Sequence, residues 1–175
     1  MLKLADLGSK ICIIGCSCSG KSTLAAQLAN KLNLPSYHLD ILAHYPSTKW
    51  QRRSDKEFIA AHSKILQEPQ WIIEGNYSIC MQERFNQATA IIWLDLSPLT
   101  CVIRYLIRCF KNKPHRAGRL PDAKSEFSFF MLKHILFNYR KNSLKYQKLI
   151  NTYQLPIIKI KSLGELNHYY RFWQL

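Results

Sequence analysis

The sequence predicts an α/β fold in which a five-stranded parallel sheet lies between two layers of helices. Five short apolar runs alternate with helical patterns, at 11–14, 36–40, 71–77, 90–95 and 156–160. Such alternation is typical of parallel strands joined by right-handed crossovers. The second observation is a glycine- and serine-rich segment directly after the first run, where ligands of such sheets bind. The length of 175 residues suits one domain, 1–175, with a single core.

The segment after the first apolar run carries the GxxxxGK[ST] pattern of a phosphate-binding loop. Successive backbone N–H groups of such a loop form a nest for anions, and the following helix adds the positive end of its dipole. Lys21 is predicted to reach the β- and γ-phosphates of a nucleoside triphosphate, and the Ser22 hydroxyl to bind Mg²⁺. The predicted nucleotide-binding residues are Gly15, Cys16, Ser17, Cys18, Ser19, Gly20, Lys21, Ser22 and Thr23.

The cysteines of this loop are its unusual feature. Cys18 stands where glycine is often found, and a side chain there disfavours positive φ, so we expect a slightly strained loop. The six cysteines lack CxxC pairs and histidines at zinc spacing, so we expect reduced thiols. Cys16 and Cys18 are expected to be the most reactive, because Lys21 and a helix N-terminus can lower the pKa of a thiol.

Three of the apolar runs end in a carboxylate. Asp40 follows the second run and is expected on the functional edge of the sheet. Glu74 ends the third run and is the preferred candidate for the acidic residue of the Mg²⁺ site, because Gly75 lets the backbone approach a phosphate. Asp95 ends the fourth run, but Ser97 and Pro98 directly after it predict the start of a helix.

Helix signals fill the segments between the strands. An S-x-x-E capping box at Ser54 and Glu57 predicts a helix that ends before Pro69, within an acceptor-side flap at 41–69. Further along, the pattern predicts one apolar helix at 127–137, a separate basic helix at 143–153 and a closing helix at 162–172. The composition of the segment 111–122 predicts a mobile lid.

Positive charge is concentrated in the second half of the chain. The net charge is +14, and residues 104–148 hold twelve Lys and Arg against two acidic residues. Such a block suits a polyanion, so nucleic acid stays open as a partner, although solvated helix faces explain most of the lysines. Arg104 and Arg108 share one helix face and are expected to hold an anion between them. No apolar stretch reaches the about 18 residues of a membrane span, and the expected location is cytoplasmic with no membrane partner.

In its ordered set of motifs the chain resembles the adenylate-kinase-like branch of the P-loop kinases, and most closely the DNA topology modulation proteins. Beyond the phosphate loop, the resemblance rests on Leu39-Asp40, the segment WIIEGNY at 71–77, Arg84, the segment IIWLD at 91–95, the paired Arg104 and Arg108, and Lys161-Ser162 after the last strand. It covers nearly the whole chain. The implied fold is the three-layer α/β/α sandwich of nucleoside monophosphate kinases with a small mobile lid.

The resemblance also implies roles for individual residues. Arg104 would lie against the adenine of ATP, while Arg108 and a lid arginine, Arg119 or Arg116, would neutralise the transferred phosphoryl group. Asp40 would face the acceptor, and Arg84 would bind an anionic group of the acceptor. Trp50 and Tyr77 are expected to shape the acceptor site together with Tyr37 and His38. Glu74 replaces the more usual aspartate of the family.

The leading hypothesis is a kinase that transfers the γ-phosphoryl group of ATP·Mg²⁺ to a small-molecule acceptor beside Asp40. Such reactions depend chiefly on positioning and charge neutralisation. Two alternatives stay open: a nucleotide-dependent DNA-binding or DNA topology modulation regulator with little transfer activity, and a polynucleotide-end or RNA kinase. The identity of the acceptor and the oligomeric state are left undetermined by the sequence.

Overall fold

A computed structural model describes residues 1–46, 48, 51–111, 117 and 127–175, with only the backbone given at 111 and 138–141. Its centre is a five-stranded sheet in the order β2-β3-β1-β4-β5, and each neighbouring pair of strands is parallel. The predicted α/β fold with a five-stranded parallel sheet is therefore confirmed. The strands are β1 (Lys10–Gly15), β2 (Ser36–His38), β3 (Trp71–Glu74), β4 (Ala90–Leu94) and β5 (Ile157–Ile160).

The helices connect these strands in chain order. They are α1 (Lys21–Leu32), α2 (Leu39–Leu42), α3 (Asp55–Leu66), α4 (Met81–Gln87), α5 (Pro98–Lys111), α6 (Phe129–Ile150) and α7 (Leu163–Trp173), with 3-10 turns at Leu4–Leu7 and Ser78–Cys80. Among the described residues, no helix is both long and apolar enough to cross a membrane.

Two details of the sequence-based assignment are wrong. The predicted helices at 127–137 and 143–153 form the single helix α6, because no proline or glycine interrupts the segment between them. The second strand was expected to deliver Asp40 at its end, but β2 stops at His38. Asp40 lies in the first turn of α2, which begins where Leu39 becomes fully buried.

The register of the central strands brings their carboxyl ends together at the functional edge of the sheet. Ile13 of β1 lies beside Glu74 of β3, and Gly15 lies beside Leu94 of β4. Because all three strands point the same way, their carboxyl ends meet at one edge. The segment that leaves Gly15 therefore emerges between the ends of β3 and β4.

The two faces of the sheet carry separate apolar cores. Ile11 and Ile13 of β1 belong to one core with α1, α5 and α7, whereas Cys12 and Ile14 belong to the other with α3 and α4. All four β1 side chains are fully buried, as expected for a central parallel strand covered on both faces. Helix α6 contributes to both cores, and so it passes over the edge of the sheet at which the phosphate loop lies.

The flap and the lid are described only in part. In the predicted flap 41–69, the segment between α2 and α3 contains an antiparallel β-bridge that pairs His44 with Arg52. Trp50, a predicted acceptor-site residue, lies outside the described residues. The predicted lid 111–122 also lies outside them, apart from the backbone of Lys111 and the residue Ala117, so the structure gives no position for Arg116 or Arg119.

Helix α3 begins with the predicted capping box. The Ser54 hydroxyl accepts a hydrogen bond from the Glu57 backbone N–H at 3.3 Å, and the Glu57 carboxylate accepts one from the Ser54 N–H at 3.0 Å. The Ser54 hydroxyl also donates to the same carboxylate at 2.6 Å. These bonds satisfy backbone donors that the first turn of a helix leaves without partners.

We predict that Ser54→Ala lowers the free energy of unfolding by about 1 kcal/mol, the usual cost of losing a serine N-cap. Chemical denaturation measures this change. Lys56→Ala is the matched control, since Lys56 is exposed in the same turn. An equal loss in both variants would show that the cap contributes nothing specific.

His62 of α3 is a buried titratable group in the second core. Its side chain is fully buried, and its Nδ1 lies 3.6 Å from Oε2 of Glu83. Burial, together with the nearby charge of Arg84, lowers the pKa of His62 from 6.5 to about 4, although Glu83 partly opposes the shift. The folded protein therefore holds this imidazole neutral where the unfolded chain would protonate it.

We predict that stability falls as pH is lowered from 6.5 to 4, because in that range the unfolded chain binds one more proton at this site. The full effect is about 3 kcal/mol, at about 1.36 kcal/mol for each unit of pKa. Denaturation measured from pH 7.5 to 4 should show a smaller slope in His62→Gln. His168→Gln, at an exposed histidine of α7, should keep the slope of the parent protein.

Candidate active site

The phosphate loop joins β1 to α1 through a compact turn. Ser19 donates its backbone N–H to the Cys16 carbonyl at 3.2 Å. Gly20 then caps α1 with a φ of 106°, in the region that favours glycine. A Cβ at this position would lie 3.1 Å from Nη2 of Arg104, so glycine also permits a close approach of that guanidinium. The loop thus turns its backbone towards the N-terminus of α1, as a phosphate site requires.

Cys18 adopts the left-handed conformation that its side chain disfavours, with a φ of 65°. A non-glycine residue in this region costs about 1–3 kcal/mol. Its carbonyl accepts a hydrogen bond from Nε of Arg104 at 2.8 Å, which holds the strained peptide from α5. Arg104 was expected against the adenine of ATP, and the structure places it on the phosphate loop itself.

The thiol of Cys16 lies beside the thiol of Cys101 and near the charge of Lys21. A hydrogen bond from Cys101 lowers the pKa of Cys16; burial opposes the shift, and the charge of Lys21 adds to it. The pKa of Cys101 is raised by the same contact and by burial. The sequence-based expectation of a lowered thiol pKa in this loop therefore has a physical basis at Cys16.

Lys21 folds back over the loop that precedes it. Its ammonium donates to the carbonyls of Gly15 and Cys16, each at 3.0 Å. The positive charge thus rests beside the loop backbone, within reach of the volume that the loop encloses. A phosphate oxygen could take the place of either carbonyl as a partner of the ammonium.

Ser22 and Glu74, the predicted pair for Mg²⁺, lie in direct contact. The Ser22 hydroxyl donates to Oε1 of Glu74 at 2.9 Å, and the carboxylate is 2% exposed. Burial raises the pKa of Glu74, but the hydrogen bond from His38 and the charge of Lys21 lower it more, so the pKa lies below its usual range. The carboxylate therefore stays ionised in a buried position.

The sequence analysis placed His38 in the acceptor site and did not predict its contact with Glu74. Its Nδ1 lies 2.9 Å from Oε1 of Glu74, and because a carboxylate only accepts hydrogen bonds, Nδ1 must carry the hydrogen. The contact follows from the register of β2 and β3, in which His38 and Glu74 are directly paired. His38 and Ser22 thus contact the same carboxylate oxygen and together fix its orientation.

Asn76 is the clearest residue that the sequence analysis missed. Its Oδ1 accepts from the Gly15 N–H at 3.0 Å and its Nδ2 donates to the Gly15 carbonyl at 2.6 Å. One side-chain amide thereby pairs with both polar groups of the residue that opens the phosphate loop. The only signal in the sequence was a polar side chain two positions after the carboxylate that ends β3.

Asp40 and Tyr77, two predicted acceptor residues, also lie together. The Tyr77 hydroxyl donates to Oδ1 of Asp40 at 3.0 Å. Burial raises the pKa of Tyr77, and the charge of Asp40 and this hydrogen bond raise it further. The phenol is therefore a neutral donor, and its partner carboxylate is exposed to solvent.

Arg84 does not have the position that its expected role needs. Its side chain is fully buried and its Nη2 donates to the Gly75 carbonyl at 3.0 Å. Its Nε and Nη1 have no hydrogen-bond partner among the described residues. A guanidinium inside the core cannot contact an anion of the acceptor from solvent, so Arg84 supports the backbone at Gly75 instead.

Arg108 was expected to share an anion with Arg104. Its guanidinium lies over the ring of Tyr105, 5.1 Å from the ring centre. Arg104 is directed to Cys18, so each arginine already has a protein partner in this structure. An anion between the two stays a prediction.

A small pocket, with a cavity volume of about 30 Å³ and partly open to solvent, lies beside the phosphate loop. Its lining at the sheet edge consists of Cys16 and Ser17 of the loop, Asn76 after β3, and Trp93 and Asp95 at the end of β4. The opposite wall is formed by α6, through His134, Asn142, Ser143 and Tyr146. The sequence analysis placed His134 in a core or boundary position and gave the other three residues no function.

Asp95, the rejected candidate for the metal carboxylate, has other partners. Its Oδ2 lies 3.2 Å from the Lys159 ammonium, and its Oδ1 accepts from the Ser143 hydroxyl at 3.2 Å. Glu74, in contrast, contacts the serine of the phosphate loop. Glu74 as the carboxylate of the Mg²⁺ site stays a prediction.

Comparisons with known proteins agree with this architecture. Residues 10–120 match the family model described as an AAA domain. The shikimate kinase of Bacteroides thetaiotaomicron aligns over 94% of this chain and 98% of its own, at 17% identity and a TM-score of 0.54. The gluconokinase of Sinorhizobium meliloti 1021 aligns over 95% of this chain and 89% of its own, at 16% identity and a TM-score of 0.51. At these identities the likeness shows a shared fold alone. No curated protein matches the sequence.

We predict that Asn76→Ala weakens nucleotide binding, because the Gly15 N–H loses its side-chain partner and the Gly15 carbonyl keeps only the Lys21 ammonium. An unpaired, partly buried backbone group costs about 1–3 kcal/mol, which corresponds to about 5- to 150-fold in affinity if the loop alone bears the loss. Titration calorimetry with a non-hydrolysable ATP analogue measures the effect.

Asn167→Ala, at an exposed asparagine of α7, is the matched control for this substitution. Asn76→Asp adds a second test, because a carboxylate can accept from the Gly15 N–H but cannot donate to the Gly15 carbonyl. Unchanged affinity in both Asn76 variants would contradict the positioning role of this residue.

Proposed function

We propose that this chain, which belongs to the AAA domain family of P-loop proteins, is a kinase that transfers the γ-phosphoryl group of ATP to a small-molecule acceptor. The observation that carries this proposal is the contact between Ser22 and Glu74 at 2.9 Å, directly after Lys21. A phosphate loop alone is compatible with any nucleotide-binding protein. A loop serine joined to a buried, ionised carboxylate adds the metal-binding half of a phosphotransferase site.

The donor set fits Mg²⁺. This ion prefers oxygen ligands, and it usually takes one or two side chains from the protein and the rest from phosphates and water. The Ser22 hydroxyl and the Glu74 carboxylate would hold it, directly or through bound water. When bound, the ion neutralises charge on the phosphates. His38 would keep the carboxylate oriented while the Ser22 hydroxyl turns towards the ion.

Basic side chains around the loop are proposed to neutralise the remaining negative charge of the phosphates. Lys21 would exchange its carbonyl partners for phosphate oxygens, which places a fixed positive charge on the transferred group. Arg108 and the lid residue Arg119, or Arg116 in its place, are proposed to complete this compensation on lid closure. Closure would also exclude water and so limit hydrolysis of ATP.

The acceptor is proposed to bind at the same edge of the sheet. Asp40 and Tyr77 form a hydrogen-bonded pair there, and an exposed carboxylate is suited to accept a hydrogen bond from an acceptor hydroxyl. Trp50 is proposed to add to this site. Arg84 is left out of the proposal, because its side chain is fully buried.

The alternatives involving nucleic acid have no comparable support. Neither the family match nor the likeness to the two kinases indicates nucleic-acid binding. Within the basic region 104–148, Arg104 and Arg108 already contact Cys18 and Tyr105 of this chain. The assay below therefore tests two alternatives only as possible outcomes: a DNA topology modulation regulator and a polynucleotide-end kinase.

The deciding experiment combines the purified protein with labelled ATP and Mg²⁺ and offers three kinds of acceptor: small molecules, DNA and RNA 5′ ends, and none. We expect acceptor-dependent transfer to a small molecule. Transfer only to nucleic-acid ends would favour the polynucleotide kinase. Nucleotide binding without any transfer would contradict the proposed function.

We predict that Lys21→Ala lowers kcat about 10²- to 10³-fold, the usual effect of removing one donor that stabilises transition-state charge. The turnover of the best acceptor from the assay above measures the effect. Lys31→Ala is the matched control, at an exposed lysine in the last turn of the same helix. Equal turnover in Lys21→Ala and the control would show that this lysine does not act on the phosphates.

A further inference from the structure

Two thiols lie in contact where the phosphate loop meets α5. Cys16 directly follows Gly15 at the end of β1, and Cys101 lies near the start of α5. The pairing of Gly15 with Leu94 brings the loop beside the chain that leads into this helix. The two thiols share a hydrogen bond. A disulfide has an S–S length of about 2.05 Å, so the sulfur atoms need only approach each other to form one.

The two thiols differ in their access to solvent. Cys101 is fully buried, whereas Cys16 is half-buried and lines the small pocket beside the loop. The pocket has a cavity volume of about 30 Å³ and is partly open to solvent. One water molecule needs about 10–15 Å³, so the pocket has room for a molecule with two oxygen atoms, such as hydrogen peroxide. A small oxidant therefore reaches Cys16 from solvent before it reaches Cys101.

The electrostatic environment assigns different chemical roles to the pair. The hydrogen bond from Cys101 lowers the pKa of Cys16; burial opposes the shift, and the charge of Lys21 adds to it. The same hydrogen bond and burial raise the pKa of Cys101, which therefore stays protonated. The thiolate is the nucleophilic form of cysteine. Cys16 is thus the thiol that attacks an oxidant, and Cys101 is the adjacent thiol that can react next.

Two of the other cysteines are poorly suited to compete with this pair. Burial raises the pKa of Cys12 to about 12 and also raises that of Cys80. Both belong to the core on the other face of the sheet from Cys101. Cys18 lies in the same loop as Cys16, so a bond from Cys18 to either thiol is the alternative that the experiment must distinguish.

We propose that hydrogen peroxide joins Cys16 and Cys101 in a reversible disulfide, and that this bond weakens nucleotide binding. The Cys16 sulfur attacks one peroxide oxygen, the O–O bond breaks, and the displaced hydroxide takes the Cys16 proton to become water. The Cys101 sulfur then attacks the sulfenic acid on Cys16, and the hydroxyl group leaves as water with the Cys101 proton. The two thiols lose two electrons, and one peroxide is reduced to two water molecules.

The disulfide would act on the loop through the backbone of Cys16. The Cys16 carbonyl accepts hydrogen bonds from the Ser19 N–H at 3.2 Å and from the Lys21 ammonium at 3.0 Å. Drawing Cys16 towards α5 displaces this carbonyl, and with it the turn of the loop and the lysine. Loss of one such contact in a partly buried site corresponds to about 5-fold or more in affinity. Oxidation should therefore weaken the binding of a nucleotide by at least this factor.

The test starts from the purified full chain, treated with hydrogen peroxide and then alkylated in denaturant. Peptide mapping by mass spectrometry without reduction should find a peptide that joins Cys16 to Cys101. Calorimetry with a non-hydrolysable ATP analogue should show affinity about 5-fold or more lower in the oxidised protein. Treatment with dithiothreitol should remove the disulfide and restore the affinity.

Substitution of each cysteine separates the two steps of the reaction. In Cys101→Ser the sulfenic acid on Cys16 has no thiol to react with, so dimedone should label Cys16 and the disulfide should be absent. Cys16→Ser should prevent both products, and it tests the same bond if Cys101→Ser destabilises the core. Cys109→Ser is the matched control, because this half-buried cysteine lies about two turns further along α5, and it should keep the disulfide of the parent protein.

The possible results separate this proposal from the proposed function. A disulfide that involves Cys18, or Cys16 and Cys101 that both stay open to alkylation after peroxide treatment, would overturn the proposal. A disulfide between Cys16 and Cys101 with unchanged nucleotide affinity would overturn its effect on the loop. A reduced protein that binds no nucleotide would contradict the proposed kinase function instead, and the peptide map would still decide whether the disulfide forms.

Discussion

The parallel pairing of β1 with β3 is the constraint on which the rest of the site depends. It sets Glu74 beside Ile13, two residues before the phosphate loop begins, so the carboxylate reaches the serine of that loop. Asn76, two residues after Glu74, completes the arrangement, because its amide pairs with both polar groups of Gly15. Loop and carboxylate are thereby held as one unit, which is the kind of preorganisation that phosphoryl transfer needs.

Around this unit, each neighbouring strand or helix contributes one support. His38 at the end of β2 orients the carboxylate, and Arg104 from α5 holds the left-handed peptide at Cys18. Arg84 donates to the Gly75 carbonyl from inside the core. Helix α6 crosses the open edge and forms one wall of the pocket. Of these supports, the hydrogen bond from Arg104 is the one that holds the strained peptide at Cys18, as such conformations need support from their surroundings.

The fold was largely predictable from the sequence, whereas the site was predictable only in its local parts. Strand and helix periodicity and the loop motif are local signals, so all five strands and the contact partners Ser22 and Glu74 were identified. His38, Asn76 and Ser143 act through residues 36, 61 and 48 positions away, and a single sequence carries no signal for such pairs. The family resemblance implied that Arg84 binds the acceptor, but the packing of α4 encloses its side chain, which the local sequence does not reveal.

The most direct test of the account is the Mg²⁺ dependence of ATP binding, measured by calorimetry in the parent protein and in Glu74→Gln. Glutamine keeps the size of the side chain and can still accept from Ser22 and His38, but it lacks the charge that attracts the ion. The account predicts that Mg²⁺ tightens ATP binding in the parent protein and has little effect in the variant, while binding without metal is similar in both. Full Mg²⁺ dependence in Glu74→Gln would contradict the central role of this carboxylate.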